Sequence, residues 1–242
     1  MAQFKSKTIL VSGASGGIGG ATVRQLVAQG ADVIASSRNP SSLAELVAET
    51  GVRSLELDLA SHDSIRAAIE GLDLWGVVNC GGFGGELANP QDTNIDIFDK
   101  VISVNARGAL LVIKYAAQSM IRLGNGGSIV NVSSQAALIA LSGHISYSAS
   151  KAALDSITRL SALELGPHHI RVNSVNPTVV ITNMTHRYWG RPEIKEAFLA
   201  KMPLGRYASP DDIAGPIVFL LSEKSEMISG ITLPVDGGYT AC

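Results

Sequence analysis

Charge is scarce in this chain. Only 17% of its 242 residues are Asp, Glu, Lys or Arg, and 19 basic side chains face 21 acidic ones for a net charge of −2. A disordered polymer needs more charge and less apolar content than the 46% found here. A surface that tracks phosphates needs a basic excess, and none is present, so no nucleic acid is expected as a partner. Cysteine is scarcer still. Cys80 and Cys242 are too few for a disulfide framework and lack metal spacing, so they read as reduced thiols of a cytoplasmic protein with no metal. No apolar run approaches the roughly 18 residues of a membrane span. The opening MAQFKSKTIL does not read as a signal peptide, and no membrane partner is expected. Glycine and proline, 25 and 9 residues, stay well below the roughly 25–30% of a low-complexity chain.

What the chain does have is alternation. Short β-branched runs at Thr8–Val11, Asp32–Ala35, Arg53–Asp58, Leu74–Asn79, Gly127–Val132, Arg171–Val175 and Ile231–Val235 read as seven strands. Helical spacing fills the intervals Ile18–Gln29, Leu43–Ala48, Ile65–Ile69, Ile95–Leu123, Tyr147–Leu165 and Ile213–Leu221. Repeated strand and helix imply right-handed crossovers and a doubly wound parallel α/β sheet with helices on both faces. No linker or charge block divides the chain, so residues 1–242 are expected to form one domain. Residues 178–210 interrupt the alternation and carry Tyr188, Trp189 and Phe198. So long an excursion near a strand's carboxyl end reads as a lid over a site.

The first strand runs into SGASGGIGG at residues 12–20. Gly13 turns the chain off the strand, and Gly17 and Gly19 let backbone and helix start approach a pyrophosphate. The position between strand and helix makes this a dinucleotide site. Dinucleotides without a 2′-phosphate are usually held by an acidic residue about 20 positions on. Here Ser36, Ser37 and Arg38 stand there. A guanidinium pairs a 2′-phosphate, so NADP(H) is the expected cofactor. Asp58, at the end of the third strand, is placed to accept from the adenine amino group. Asn79-Cys80-Gly81-Gly82 ends the fourth strand in a second turn that lets backbone pass close to a ligand.

Tyr147 and Lys151 are spaced i, i+4 and share one helix face. A nearby ammonium stabilises a phenolate, so Lys151 is expected to bring the Tyr147 pKa toward neutrality. Ser134 ends the fifth strand, where open α/β sheets bind ligands, and Asn105 places an amide inside the long helical region.

SGASGGIG, Asn79-Cys80-Gly81-Gly82, Asn105, Ser134, Tyr147 and Lys151 together resemble the short-chain dehydrogenase/reductase superfamily over essentially the whole chain. The resemblance implies a Rossmann fold and a catalytic tetrad of Asn105, Ser134, Tyr147 and Lys151. In it Tyr147 donates the proton, Ser134 polarises the carbonyl, Lys151 binds the nicotinamide ribose and lowers the tyrosine pKa, and Asn105 supports a water. It extends the cofactor contacts to Ser15, Ile18, Leu59, Pro177, Val180 and Thr182, beside Tyr147 and Lys151 themselves. Ser12, Cys80 and Thr178 depart from the family's usual Thr, Asn and Gly. The segments NVSSQ, ALELGP, NPTVV, MPLG and TLPV and the terminal Ala241-Cys242 are similar to its branch of dicarbonyl and L-xylulose reductases. That branch implies reversible NADPH-dependent reduction of a ketose such as L-xylulose or of an α-dicarbonyl, a homotetramer, and a substrate pocket lined by Gln135, His144 and Trp189 beside Ser134 and Tyr147. Helices that are apolar on several faces suit such an assembly. Alternatives are a 3-oxoacyl thioester reductase, which the missing basic docking face disfavours, and an NAD(P)-dependent sugar-alcohol dehydrogenase. A non-catalytic dinucleotide sensor is the alternative of another class, and it has no need of all four tetrad residues.

Overall fold

The computed structural model describes residues 3–182, 185 and 189–241. Its β-branched runs form strands because branched side chains suit a pleated surface packed from both sides. They are β1 (Thr8–Ser12), β2 (Asp32–Ser37), β3 (Arg53–Glu56), β4 (Gly76–Asn79), β5 (Gly127–Val132), β6 (Ile170–Pro177) and β7 (Thr232–Val235). All pair in parallel, in the order β3-β2-β1-β4-β5-β6-β7. The order reverses between β1 and β4, which opens a crevice beyond their carboxyl ends. The expected seven-stranded α/β fold is therefore present.

Successive strand residues face opposite sides of the sheet. Ile9, Val11, Val33, Ala35, Val78 and Val130 pack on one side with Val23 and Leu26 of α1 (Gly17–Ala28) and Ile213 and Ile217 of α8 (Pro210–Leu221). Leu10, Ile34, Val77 and Ile129 pack on the other, against α3 (His62–Ile69) through Ile65 and Ile69. On that same side α5 (Ala109–Leu123) contributes Val112, Ala116 and Met120. Each fully buried Leu or Ile contributes about 1.5–3 kcal/mol. With both faces covered, the strands read as continuous apolar runs.

Some boundaries differ from the sequence reading. β6 runs to Pro177 because its last four residues pair with β7, two residues beyond the end of its pairing with β5. The stretch at Leu43 divides into a short 3-10 turn and α2 (Ala44–Thr50). The region Ile95–Leu123 is not one helix. It comprises α4 (Ile95–Ile102), a π-helical turn at Ser103–Gly108, and α5. The wide turn places Gly108 against the chain after β3, where a Cβ would lie 2.5 Å from the Leu59 carbonyl oxygen. It also turns Asn105 into the interior. Between β6 and α8 lies α7 (Pro192–Leu199), and a backbone bridge from Val180 to Ala208 closes the base of the excursion. Tyr188, expected in the lid, lies outside the described residues. The second long helix is α6 (Ile145–Leu165).

Candidate active site

Two glycine turns meet at the crevice. Gly13 has φ +66°, and a Cβ there would stand 2.5 Å from the Gly81 Cα, so only glycine lets the β1 and β4 loops touch. A Cβ on Gly19 would collide with the Gly13 carbonyl oxygen at 2.4 Å, so this residue lets α1 start directly under the turn. The Ser12 hydroxyl accepts from the Gly81 N–H at 3.4 Å, so serine keeps the link between the two loops. Helix α1 opens at Gly16 with no side-chain cap and no acidic residue in its first turn. Its first N–H groups therefore lack intrahelical partners and present positive potential outward. Ser15 is exposed beside them, Ile18 is half-buried, and Thr182 packs directly over Gly17. Glycines that a Cβ would block and an uncapped helix start suit a pyrophosphate, so these residues fit a dinucleotide.

At the adenosine end the geometry is more selective than the sequence suggested. Arg38 follows β2, is exposed, and has no ion pair or hydrogen bond among the described residues. The serines before it face inward. Ser36 donates to the Val11 carbonyl at 3.3 Å and Ser37 to the Asn39 carbonyl at 2.7 Å. The hydroxyls expected beside Arg38 thus already have partners. Asp58 accepts from the Ala60 N–H through Oδ1, and Leu59 packs on Gly81. Asn79 is expected to offer its backbone, and its side chain is engaged elsewhere. Its side chain points into the core, donating to Asn131 at 2.9 Å, because β4 is flanked on both sides. Its backbone ends β4, next to the turn that meets Gly13. Pro177 ends β6, and Val180 is buried at the bridge to Ala208.

The remaining residues converge from three elements. Lys151 is 4% exposed and donates to the Val132 carbonyl at 2.8 Å, and its ammonium lies 5.6 Å from the centre of the Tyr147 ring. Ser134 accepts from the Ala136 N–H, and its hydroxyl lies where it favours the ionised form of the Tyr147 phenol. Asn105 is fully committed as a donor. Its amide nitrogen serves the Phe83 carbonyl at 2.9 Å and Ser150 at 3.0 Å, while its Oδ1 accepts from the Phe83 N–H at 2.7 Å. The side chain fixes the loop after β4 to α6 and has no N–H left for a water.

Burial governs the acidities here. Tyr147 is half-buried as a residue, yet the surroundings of its hydroxyl are dense enough to push its pKa above the ordinary phenol value. The Ser134 hydrogen bond opposes this only in part. Burial thus outweighs the lowering expected from Lys151, and the net direction for the phenol is upward. Burial brings Lys151 down to about 8, with Cys80 and Asp155 pulling the other way. The Cys80 thiol is pushed up to about 12, also by burial.

The pocket residues lie beside this group. Gln135 is 2% exposed and neither of its amide atoms has a hydrogen-bond partner. His144 precedes α6 without capping it by its side chain, has its Nδ1 2.8 Å from the Ser142 carbonyl oxygen, and has its ring 6.0 Å from that of Trp189. Trp189 packs edge-on against Phe198 of α7 at 5.0 Å, and Phe198 stacks on Tyr239 at 4.6 Å. An aromatic wall thus joins the excursion to the C-terminal turn. The sequence reading missed Asp155, Ser174 and Phe83. For Asp155 the available signal was an acidic residue one turn past Lys151 in the apolar stretch Ala152-Ala153-Leu154.

Comparison with known proteins agrees with this geometry. A family model described as Enoyl-(Acyl carrier protein) reductase matches residues 13–240. An L-xylulose reductase of Caenorhabditis elegans is 41% identical, across 98% of this chain and 97% of that protein. A carbonyl reductase [NADPH] 2 of Sus scrofa is 38% identical, across 99% and 98%. The structure of a short-chain type dehydrogenase/reductase from Mycobacterium ulcerans superposes with a TM-score of 0.95 at 31% identity, across 99% of this chain and 91% of that one. A dinucleotide crevice at the strand-order reversal, a Ser-Tyr-Lys group at its edge and this full-length likeness have one common reading: the chain is an oxidoreductase and belongs to the short-chain dehydrogenase/reductase family.

Proposed function

We propose that the chain reduces a small carbonyl compound, a ketose such as L-xylulose or an α-dicarbonyl, to the alcohol with NADPH. The observation that carries this reading is the convergence of three side chains at the carboxyl end of β5: the Lys151 ammonium 5.6 Å from the Tyr147 ring and bonded to the Val132 carbonyl, with Ser134 two residues further on. When bound, the reduced nicotinamide supplies a hydride to the carbonyl carbon. Everything else falls to the chain. Ser134 and Tyr147 hold the carbonyl oxygen between two hydroxyls, and Tyr147 gives its proton to that oxygen as the C–O double bond becomes single. Lys151 stabilises the phenolate left behind. Asn105 keeps the Gly82–Phe83 loop against α6. Arg38 takes the 2′-phosphate, the start of α1 with Ser15, Ile18 and Thr182 takes the pyrophosphate, and Asp58 and Leu59 take the adenine.

Gln135 favours a polyhydroxylated substrate. A buried amide left without partners costs about 1–3 kcal/mol, and a sugar hydroxyl beside Ser134 would satisfy it. His144 and Trp189 complete the wall. Trp189→Ala is expected to raise KM for ketoses and diketones about tenfold while NADPH affinity stays within about twofold; equal effects on both would remove Trp189 from the substrate wall. Leu110 and Ile121 of α5 and Leu160 and Leu163 of α6 are exposed, which supports burial of these helices in a homotetramer.

The acidities set a pH dependence. Below about 8 Lys151 carries its charge, and above it the charge is lost. Tyr147, raised by burial, keeps its proton across this range. Reduction needs both, so its kcat/KM should fall as pH rises through about 8. Oxidation of the alcohol needs the phenolate and should have its optimum at higher pH. Profiles of the two directions with one substrate pair test this, and a reduction rate that climbs through pH 9 would contradict it. The substrate reading itself is tested by a panel of ketoses, diketones and oxoacyl thioesters assayed with NADPH and NADH. Preference for oxoacyl thioesters would overturn it.

A further inference from the structure

Two buried carboxylates among the described residues have no part in the mechanism: Asp236 holds the C-terminal turn through Gly238 and Thr240, and Asp155 stands beside the active site. Asp155 is 3% exposed on α6. It stands four residues after Lys151, the spacing at which helix side chains are neighbours. No Lys, Arg or His contacts it among the described residues. Instead both of its oxygens accept: Oδ1 from the Ser174 hydroxyl at 2.9 Å and Oδ2 from the Asn176 amide at 2.8 Å. Accepting on both oxygens is the pattern of the ionised form. The second Asn176 N–H donates to the Ser134 backbone carbonyl at 3.0 Å. One chain of contacts therefore runs from the Lys151 turn through Asp155 and Asn176 to the residue that carries the reacting hydroxyl.

We propose that Asp155 is a positioning residue for the reaction: its carboxylate keeps the Lys151 ammonium charged in a buried site and, through Asn176, fixes the backbone of Ser134. This rests on the roles given above to Lys151, Ser134 and Tyr147. A buried ammonium is stable only beside compensating charge or dipoles. The groups facing Lys151 are Tyr147 and Asp155 on its own helix, the Val132 carbonyl of β5, and Cys80 beyond β4. With its thiol near 12, Cys80 is neutral at pH 7, and Tyr147 holds its proton. Asp155 is then the negative group that remains. Its tie to Ser134 addresses a separate need, since Ser134 begins a 3-10 turn and not a long regular element.

The test is the pH profile of kcat/KM for diacetyl reduction with NADPH in three variants of the full chain. Asp155→Asn keeps the shape and removes the charge. Its alkaline limb should move to lower pH by about one unit. Asn176→Ser and Ser174→Ala keep the charge; the first removes the amide donors to Asp155 and to the Ser134 carbonyl, and the second removes the hydroxyl donor to Asp155 Oδ1. Their limbs should stay in place, and Asn176→Ser should lose about ten- to hundredfold in kcat with little change in KM. An unmoved limb in a folded Asp155→Asn protein overturns the inference. Should that variant fail to fold, wild-type kcat in Asn176→Ser overturns it instead. Tyr147→Phe run alongside separates the two claims: an active Tyr147→Phe removes the proposed function, whereas an inert one beside an unmoved Asp155→Asn limb removes only this role for Asp155.

Discussion

Tyr147→Phe should lose about three orders of magnitude in turnover while binding NADPH almost as well as the parent chain, because a positioned general acid contributes about 10²- to 10⁴-fold. The substitution deletes one oxygen and leaves the ring in place. It removes the phenol proton that the product oxygen must receive and one of the two hydroxyls holding that oxygen. The neighbours do not replace it. Ser134 is an alcohol and far too weak an acid. The Lys151 ammonium is directed at the Val132 carbonyl at 2.8 Å. Cofactor contacts lie mainly elsewhere, at the start of α1 and at Arg38. Folding should be little affected, since the aromatic ring and its packing stay in place. Single-turnover rates and NADPH titration check both halves. Full turnover in the variant would defeat the proton-donor assignment.

Arg38→Asp is expected to reverse cofactor preference, shifting the ratio of kcat/KM for NADPH over NADH by about two to four orders of magnitude. Charge-assisted bonds to a phosphate contribute about 1.5–3 kcal/mol each, and an aspartate adds repulsion toward that phosphate. The same carboxylate accepts from the ribose hydroxyls of NADH. Arg38 bears this role nearly alone, because Ser36 and Ser37 already donate to Val11 and Asn39. Its exposure and lack of protein partners mean that the exchange should leave thermal stability within about 0.5 kcal/mol, as surface changes generally do. The preference should also weaken with salt, since the contact is at the surface. An unchanged ratio would remove Arg38 from the phosphate site.

Much of this site was legible because its signals are local. Gly13, Gly17 and Gly19 declare a turn between a strand and a helix, and the structure adds only the reason in contacts with Gly81, Thr182 and Gly13 itself. Tyr147 and Lys151 share a helix face by spacing alone. Ser134 could be placed because strand ends collect ligands in this type of sheet. The parts that escaped are tertiary. No spacing indicates that Ser37 turns toward Asn39 or that Asn79 faces Asn131 across the strand pair. The π turn at Asn105 arises where α4 and α5 meet both α6 and the Leu59 loop. Asp155 and Asn176 are 21 residues apart and meet because β6 lies against α6. The acidity of Tyr147 was misjudged for the same reason. Spacing reveals a nearby ammonium, but only the folded chain reveals how much burial opposes it.

The central claim is that hydride and proton reach one carbonyl from opposite partners, the cofactor and Tyr147. The most direct measurement follows NADPH deuterated at the transferring position of its nicotinamide through reduction of L-xylulose or diacetyl by the purified chain. The account predicts one alcohol formed for each NADPH consumed, with deuterium on the new carbinol carbon and none washed into solvent. NADPH left unconsumed with every ketose and diketone, or alcohol formed without deuterium on that carbon, would contradict it.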